Sequence, residues 1–293
     1  MFCFFTLKIE NTKGEVFELT HNTKDYVVAG IQGLTRPPTS VNTSACAGID
    51  GSFFNSARME QRNIVLDLIL RGDIEGNRQR LYHIFPAKTP CTVYFKNHNR
   101  DVKIKGYVET LEGDIFTVRE QMQISIICPK PFWEDMQAVY DELSSIVKRF
   151  SFPFSIEEPI PIAELNSSGG VTIENKGDVE TGFICRITMQ TKRVDSGLMQ
   201  VDHLKIINHT TGQAFGLDYP FQVGDEITIN TLSGELSVTL NRGGTVINLL
   251  RYLSGDSTWI KLASGSNYLT FSADPNSDFV YAVFRTAILY GGV

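Results

Sequence analysis

Val171-Thr172-Ile173-Glu174, then Asn175-Lys176-Gly177-Asp178, then Phe183-Ile184-Cys185-Arg186-Ile187-Thr188-Met189-Gln190 decide how the second half of this chain folds. A β-branched run stops at turn residues and resumes as a longer alternating run. The same unit recurs to the end of the sequence. Beyond Gly169 no helical period is sustained. Short runs at 204–208, 214–217, 226–230, 236–240, 259–262, 268–272 and 279–289 follow one another, with Gly, Asn and Asp between them. Strands spaced about every 8–12 residues predict an antiparallel β-sandwich, here over 169–293.

Working back towards the N-terminus, Phe5, Leu7 and Ile9 alternate with Thr6, Lys8 and Glu10. Asn11-Thr12-Lys13-Gly14 then supplies turn chemistry, and Val16-Phe17-Glu18-Leu19 returns as a hairpin partner. Ile64-Val65-Leu66-Asp67-Leu68-Ile69-Leu70 reads as a buried strand. Asp73 is placed to cap a helix whose Leu81, Ile84 and Phe85 face inward before Pro86 stops it. Runs at 93–95, 102–108 and 115–128, separated by Asn97-His98-Asn99 and Glu112-Gly113-Asp114, predict three successive antiparallel strands. Residues 1–150 therefore read as an α+β meander with one covering helix, and the chain as a whole as mainly β with minor α.

Three segments stand apart from these domains. Met136, Val139, Tyr140, Leu143, Ile146 and Val147 recur at helical spacing and predict an amphipathic helix over 133–149. Pro153, Pro159 and Pro161 exclude regular helix and central strand, which makes 151–168 a Pro-rich linker. Residues 35–62, with Pro37-Pro38 and no sustained period, are long for a structureless loop inside a compact domain. They read either as a surface loop or as an arm ordered on a neighbouring subunit.

Composition narrows the function. The 293 residues carry 27 Lys plus Arg against 33 Asp plus Glu, a net charge of -6. Binding a nucleic-acid backbone calls instead for clustered cations that displace counterions. The densest apolar run, 64–70, is short and interrupted by Asp67, so no membrane span is predicted. Met1-Phe2-Cys3-Phe4-Phe5 lacks the basic start and small-residue cleavage site of a secretory signal. Cys3, Cys46, Cys91, Cys128 and Cys185 are odd in number and widely spaced, as expected of reduced thiols in a protein made in the cytoplasm.

A search for chemistry finds little. His21, His83, His98, His203 and His209 form no metal-binding spacing, so neither a metal nor another cofactor is expected. His203 and His209, six residues apart, are too distant to share a ligand and are expected to face solvent. Gly177 to Gly182 has the spacing of a phosphate loop, but Phe183-Ile184 stand where Lys and Ser or Thr are required. No Gly-x-Ser-x-Gly elbow exposes a nucleophile, and no catalytic residue is assigned. Carboxylates such as Glu157, Glu158 or Asp218 leave a cell-wall hydrolase as a remote alternative. Trp259 is the candidate for stacking on a sugar, weighed against a core tryptophan between two sheets.

The order of several motifs carries more information than any one of them. Thr172 to Gly182, containing Asn175, Gly177, Asp178 and Gly182, is followed by Lys205-Ile206-Ile207-Asn208-His209-Thr210-Thr211-Gly212. Val223-Gly224-Asp225-Glu226-Ile227 comes next, then Trp259-Ile260-Lys261-Leu262, Gly265-Ser266-Asn267 and Tyr290-Gly291-Gly292. With Cys128-Pro129-Lys130-Pro131-Phe132-Trp133 before them, these segments resemble the distal tail protein family of long, non-contractile-tailed phages and their prophages. The resemblance implies a non-enzymatic homo-hexameric ring at the tail tip, through which the genome passes. Its partners would be the tail tube protein, a tail-associated tip protein, and receptor-binding or fibre proteins. It further implies an N-terminal ring domain with an extended arm, for which 35–62 is the candidate, and a galectin-like C-terminal β-sandwich. Sugar-binding galectins use His-x-Asn-x-Arg and Trp-x-x-Glu-x-Arg strands, whereas His203 is followed here by Leu204-Lys205-Ile206-Ile207 and Trp259 by Ile260-Lys261-Leu262. Carbohydrate recognition, with Trp259 as its contact, is accordingly the alternative function.

Overall fold

In the computed structural model, residues 5–20, 22–137, 139–144, 146–148, 163–165, 170–189, 200–274 and 280–293 are described. The chain divides into two units, Met1–Met136 with Leu289–Val293, and Gln137–Ile288.

The first unit is built on alternation. β1 (Thr6–Asn11) and β2 (Val16–Thr20) form the expected hairpin with Ile9 opposite Phe17. Its turn is fixed by the Asn11 side-chain oxygen, which accepts from the Lys13 and Glu15 N–H groups at 3.0 Å each. Then come β3 (Tyr26–Gln32), β4 (Thr39–Ala45), β5 (Ser52–Met59) and β6 (Arg62–Leu70). After α1 (Ile74–Ile84) follow β7 (Pro90–Lys96), β8 (Asp101–Asp114), β9 (Gln121–Cys128) and β10 (Trp133–Asp135). The main sheet runs β2-β1-β7-β8-β9-β6-β3, and its strand pairs are antiparallel. The predicted meander is its β7-β8-β9 part.

On β6, Ile64, Leu66, Leu68 and Leu70 are buried, and burying each such side chain contributes about 1.5–3 kcal/mol. Asp73 caps α1 as expected, accepting from the Gly76 N–H at 3.1 Å. Leu81, Ile84 and Phe85 are buried, and the Phe85 ring meets Phe17 edge-on at 5.3 Å. That contact fixes the helix over the β1–β2 hairpin.

The helix expected over 133–149 does not form. Its place is taken by β10, which pairs with β8 and with the last strand of the chain, and by β11 (Val139–Ser144), which pairs along its length with a strand at 280–286. Partners distant in sequence satisfy that backbone, and sheet pairing overrides a local helical period.

The second unit continues with β12 (Ile146–Lys148), β13 (Ala163–Leu165), β14 (Gly170–Asn175), β15 (Phe183–Met189), β16 (Gln200–Asn208) and β17 (Gln213–Gln222). It ends with β18 (Glu226–Asn230), β19 (Ser237–Arg242), β20 (Thr245–Asn248), β21 (Gly265–Asp274) and β22 (Val280–Thr286). One sheet is ordered β11-β22-β15-β18-β19-β20 and the other β14-β21-β16-β17, while β12 and β13 pair separately. Phe183, Ile187, Ile229 and Phe284 of the first share one core with Ile173, Ile206, Phe215 and Leu269 of the second. This is the predicted antiparallel sandwich, with three corrections. Residues 259–262 form no strand, and Leu262 makes an isolated bridge to Thr181. β20 adds a strand that the spacing did not predict. The final strand β23 (Leu289–Tyr290) leaves the sandwich and pairs with β10 in the first unit, so the second unit stops short of Val293. Apart from β13, the 151–168 linker lies outside the described residues.

Candidate interaction surfaces

The motif residues of the second unit converge on buried polar joints. Asn175, Asn208 and Asn267 are each at most 1% exposed. Asn175 donates to the carbonyls of Val179 at 2.9 Å and Leu262 at 3.3 Å, and accepts from the Gly177 N–H at 3.0 Å. Asn208 donates to the Lys261 carbonyl at 3.0 Å and to the Asn267 oxygen at 3.3 Å. The Asn267 oxygen also accepts from the Ala263 N–H at 2.9 Å, and its amide donates to the carbonyls of Ala263 and Gly265 at 2.8 and 2.9 Å. Three amides thus take the place of ladder bonds for 261–265, because a buried backbone without partners costs about 1–3 kcal/mol per group. Gly265, with φ of 92°, makes the turn into β21.

A second joint closes the β17–β18 corner. Asp225, 1% exposed, accepts from Arg242 through Nε at 2.8 Å and Nη2 at 2.6 Å, and from the Gln222 N–H at 2.8 Å. The Asp225 bond holds the Arg242 guanidinium above its ordinary pKa. Gly224, at φ 89°, lets its N–H reach the Met189 carbonyl at 3.0 Å. These side chains hold the sandwich together.

Trp259 is half-buried. Its ring lies 5.4 Å from Phe215, against the core that encloses Ile260 and Leu262. Packing accounts for this tryptophan. His203 and His209 face solvent as expected. His203 Nδ1 lies 2.8 Å from Asp218, and His209 Nε2 lies 2.8 Å from Thr270 Oγ1. The Asp218 hydrogen bond raises the His203 pKa, and the same bond lowers that of Asp218. His203 therefore favours the folded state in acid and loses that contribution as pH rises through its raised pKa. Asp218 contributes above its unfolded value and loses it as pH falls through its lowered one. An NMR titration of His203 should give a pKa above 6.5 that falls in Asp218→Asn; an unchanged value would show that the pair does not form in solution. Among the described residues no cluster of three or more His, Cys, Asp or Glu is arranged to hold a metal. No helix among them is long and apolar enough to cross a membrane.

The first unit presents an exposed hairpin. β4 and β5 pair as a hairpin in which Thr39 faces Met59 and Ala45 faces Ser52, and every residue of both strands is exposed. Val41, Phe53, Phe54 and Met59 are 56%, 57%, 66% and 41% exposed, with Ile49 at 58% in the connecting turn. Cys46 is also exposed there, whereas Cys91, Cys128 and Cys185 are buried free thiols. Burial pushes the Cys91 thiol up to about 11 and that of Cys128 up to about 12. An isolated two-stranded hairpin is at best marginally stable in water.

The root of the arm is held by Arg62, which sequence reading did not single out. Arg62 is 1% exposed, and among the described residues it forms no ion pair with a carboxylate. It donates to the carbonyls of Gly33 and Thr35, to Pro131 at 2.8 Å and to Gly291 at 2.6 Å, with its guanidinium 5.4 Å from the Trp133 ring centre. Burial lowers its pKa to about 10, so it remains a cation at neutral pH. A signal for it existed, since Arg62 is in phase with Ile64, Leu66 and Leu68, and strand parity sends it inward.

Residues 176–285 match the family described as siphovirus-type tail component, C-terminal domain. Among solved structures, the SPP1 Dit (gp 19.1) protein is described as a paradigm of the hub adsorption apparatus in phages infecting Gram-positive bacteria. It is 14% identical and superposes with a TM-score of 0.64 over 97% of this chain and 98% of its own. A chain of the phage P2 baseplate, in its activated conformation with Ca, is 13% identical over 97% of both chains with a TM-score of 0.47. No curated protein matches by sequence.

Proposed function

We propose that this chain, whose residues 176–285 match the siphovirus-type tail component C-terminal domain, is a distal tail protein and the structural hub of a phage tail tip. Six copies form a ring that joins the tail tube to the baseplate or to the fibre and receptor-binding proteins. The genome passes through its centre. The first unit builds the ring and the second, a galectin-like sandwich, serves the peripheral proteins. The protein acts by assembly, without catalysis, after synthesis in the cytoplasm of the bacterial host.

The observation that carries this reading is the arm. A hairpin exposed along its whole length, with Val41, Phe53 and Phe54 uncovered, gains stability only by lying on another subunit. A ring of identical copies supplies such a surface by a heterologous contact whose rotation closes. The net charge of -6 suits a conduit that must release DNA, since a basic lumen would retain it.

Light scattering with negative-stain imaging tests the proposal. The expected species at tens of micromolar is a ring of about 200 kDa, six times 32.8 kDa. Phe53→Asp with Phe54→Asp should reduce it to monomer without loss of β-structure. A wild-type protein that stays monomeric at that concentration would refute the ring.

A further inference from the structure

Residues 289–293 follow the second unit in sequence but belong to the first. Trp133 pairs with Tyr290 and Glu134 with Leu289. Tyr290 donates to Asp135 at 3.1 Å, and the Arg100 guanidinium lies 3.9 Å from the Tyr290 ring centre while donating to the Gly292 carbonyl. The segment then runs into the root of the arm. Arg62 joins Gly291 to Gly33 and Thr35, and the Val293 N–H donates to the Leu34 carbonyl at 3.1 Å. At Gly292 a side chain would meet the Thr35 and Arg36 backbone at 3.3 Å, closer than such contacts normally run. Arg62 and the returning residues thus add polar ties to 33–36, where Leu34 also packs against the core of the first unit.

We infer that Leu289–Val293 and Arg62 form a latch that sets the arm for assembly only after the second unit has folded. The inference rests on the arm being the contact between subunits. While Gln137–Ile288 is folded, β11 and β22 pair with Val139 opposite Thr286, which brings the flanking chain ends together, and the latch closes locally. While it is unfolded, the same pairing must close a loop of 152 residues. The closure penalty scales as the three-halves power of loop length, so the closing constant falls on the order of a thousandfold. A chain still being synthesised, or one whose second unit is defective, thus holds its arm unset and stays out of the ring. The device orders assembly after folding.

Hydrogen exchange on the full chain, read beside light scattering, tests the latch. Arg62→Met should speed exchange in 33–61 and 289–293 at least tenfold and lower ring yield, while β7 and β8 keep their protection. Arg62→Lys, which retains the charge and reaches only part of the carbonyl set, should fall between them even if the Met variant misfolds. Phe284→Ala, placed in the core of the second unit, should speed exchange of 289–293 and 33–36 by the factor seen for the second unit itself. Wild-type protection of those segments while the second unit opens faster would overturn the latch and leave the ring intact. A monomeric wild type with coupled exchange would overturn the ring and leave the latch.

Discussion

Gly182→Ala is expected to lower the stability of the second unit by about 3 kcal/mol, well beyond the effect of the same change at Gly224. A methyl group at Gly182 would sit 2.2 Å from the Thr231 carbonyl oxygen and 2.7 Å from the Leu232 nitrogen, and both are backbone atoms. Neither can rotate away. Relief requires β15 and the end of β18 to separate by most of an ångström where they are most tightly tied. The Thr231 N–H donates to the Phe183 carbonyl at 2.9 Å, and the Phe183 N–H donates to Thr231 Oγ1 at 2.8 Å. Losing both bonds costs about 0.5–1.5 kcal/mol each, and forced overpacking adds about 1–3 kcal/mol. At Gly224 nothing lies within 4 Å, so alanine there bears only the left-handed backbone cost of about 1–2 kcal/mol. Urea unfolding of both variants checks the order, and an equal or smaller loss at Gly182 would contradict the close approach. In melting temperature the Gly182 variant should fall by roughly 6–12 °C, at about 2–4 °C per kcal/mol for a unit of this size.

The comparison of these two glycines shows what the sequence could and could not disclose. The motif order marked both positions, and sequence alone could not say that one is glycine for want of space and the other for its backbone angle. Where partners are close in sequence, reading succeeded. The β1–β2 hairpin, the Asp73 cap, the β7–β9 meander and most sandwich strands follow from alternation and turn chemistry. It failed where partners are remote. Residues 133–149 have a helical period, yet β10 and β11 answer to strands near the end of the chain. The arm showed no period because neither of its faces is buried, and alternation records burial. Arg62, Asn175, Asn208 and Asn267 are inward-facing polar residues, and whether such a residue is satisfied depends on carbonyls brought from elsewhere in the fold. The phase of Asn208 with Leu204 and Ile206 was available as a clue to its burial, as was that of Arg62 with Ile64.

Arg78→Met should destabilise the first unit by about 3–5 kcal/mol, and a compensating Glu120→Leu should restore most of the loss. Arg78 and Glu120 form an ion pair at 2.8 Å, and their side chains are only 9% and 7% exposed. The other carboxylate near Arg78, Glu75, is 3.8 Å away and largely exposed, so it contributes little. Removing the guanidinium alone leaves a buried carboxylate without its counter-charge, and that stranded charge accounts for the cost. Removing both charges replaces the pair with apolar volume, which is often neutral or stabilising. Glu120 also accepts from the Phe116 N–H at 2.9 Å, and Phe116 is itself left-handed at φ 65° with a side chain 87% exposed. In the double variant water can take over that N–H. The 115–119 turn should then exchange hydrogen faster even as global stability recovers, which separates the role of the pair in stability from its role in shaping the turn. A double-mutant cycle by denaturant unfolding decides the matter: a coupling below about 1 kcal/mol would mean that the two charges are independently solvated and that the pair does not fix α1 to the β8–β9 turn.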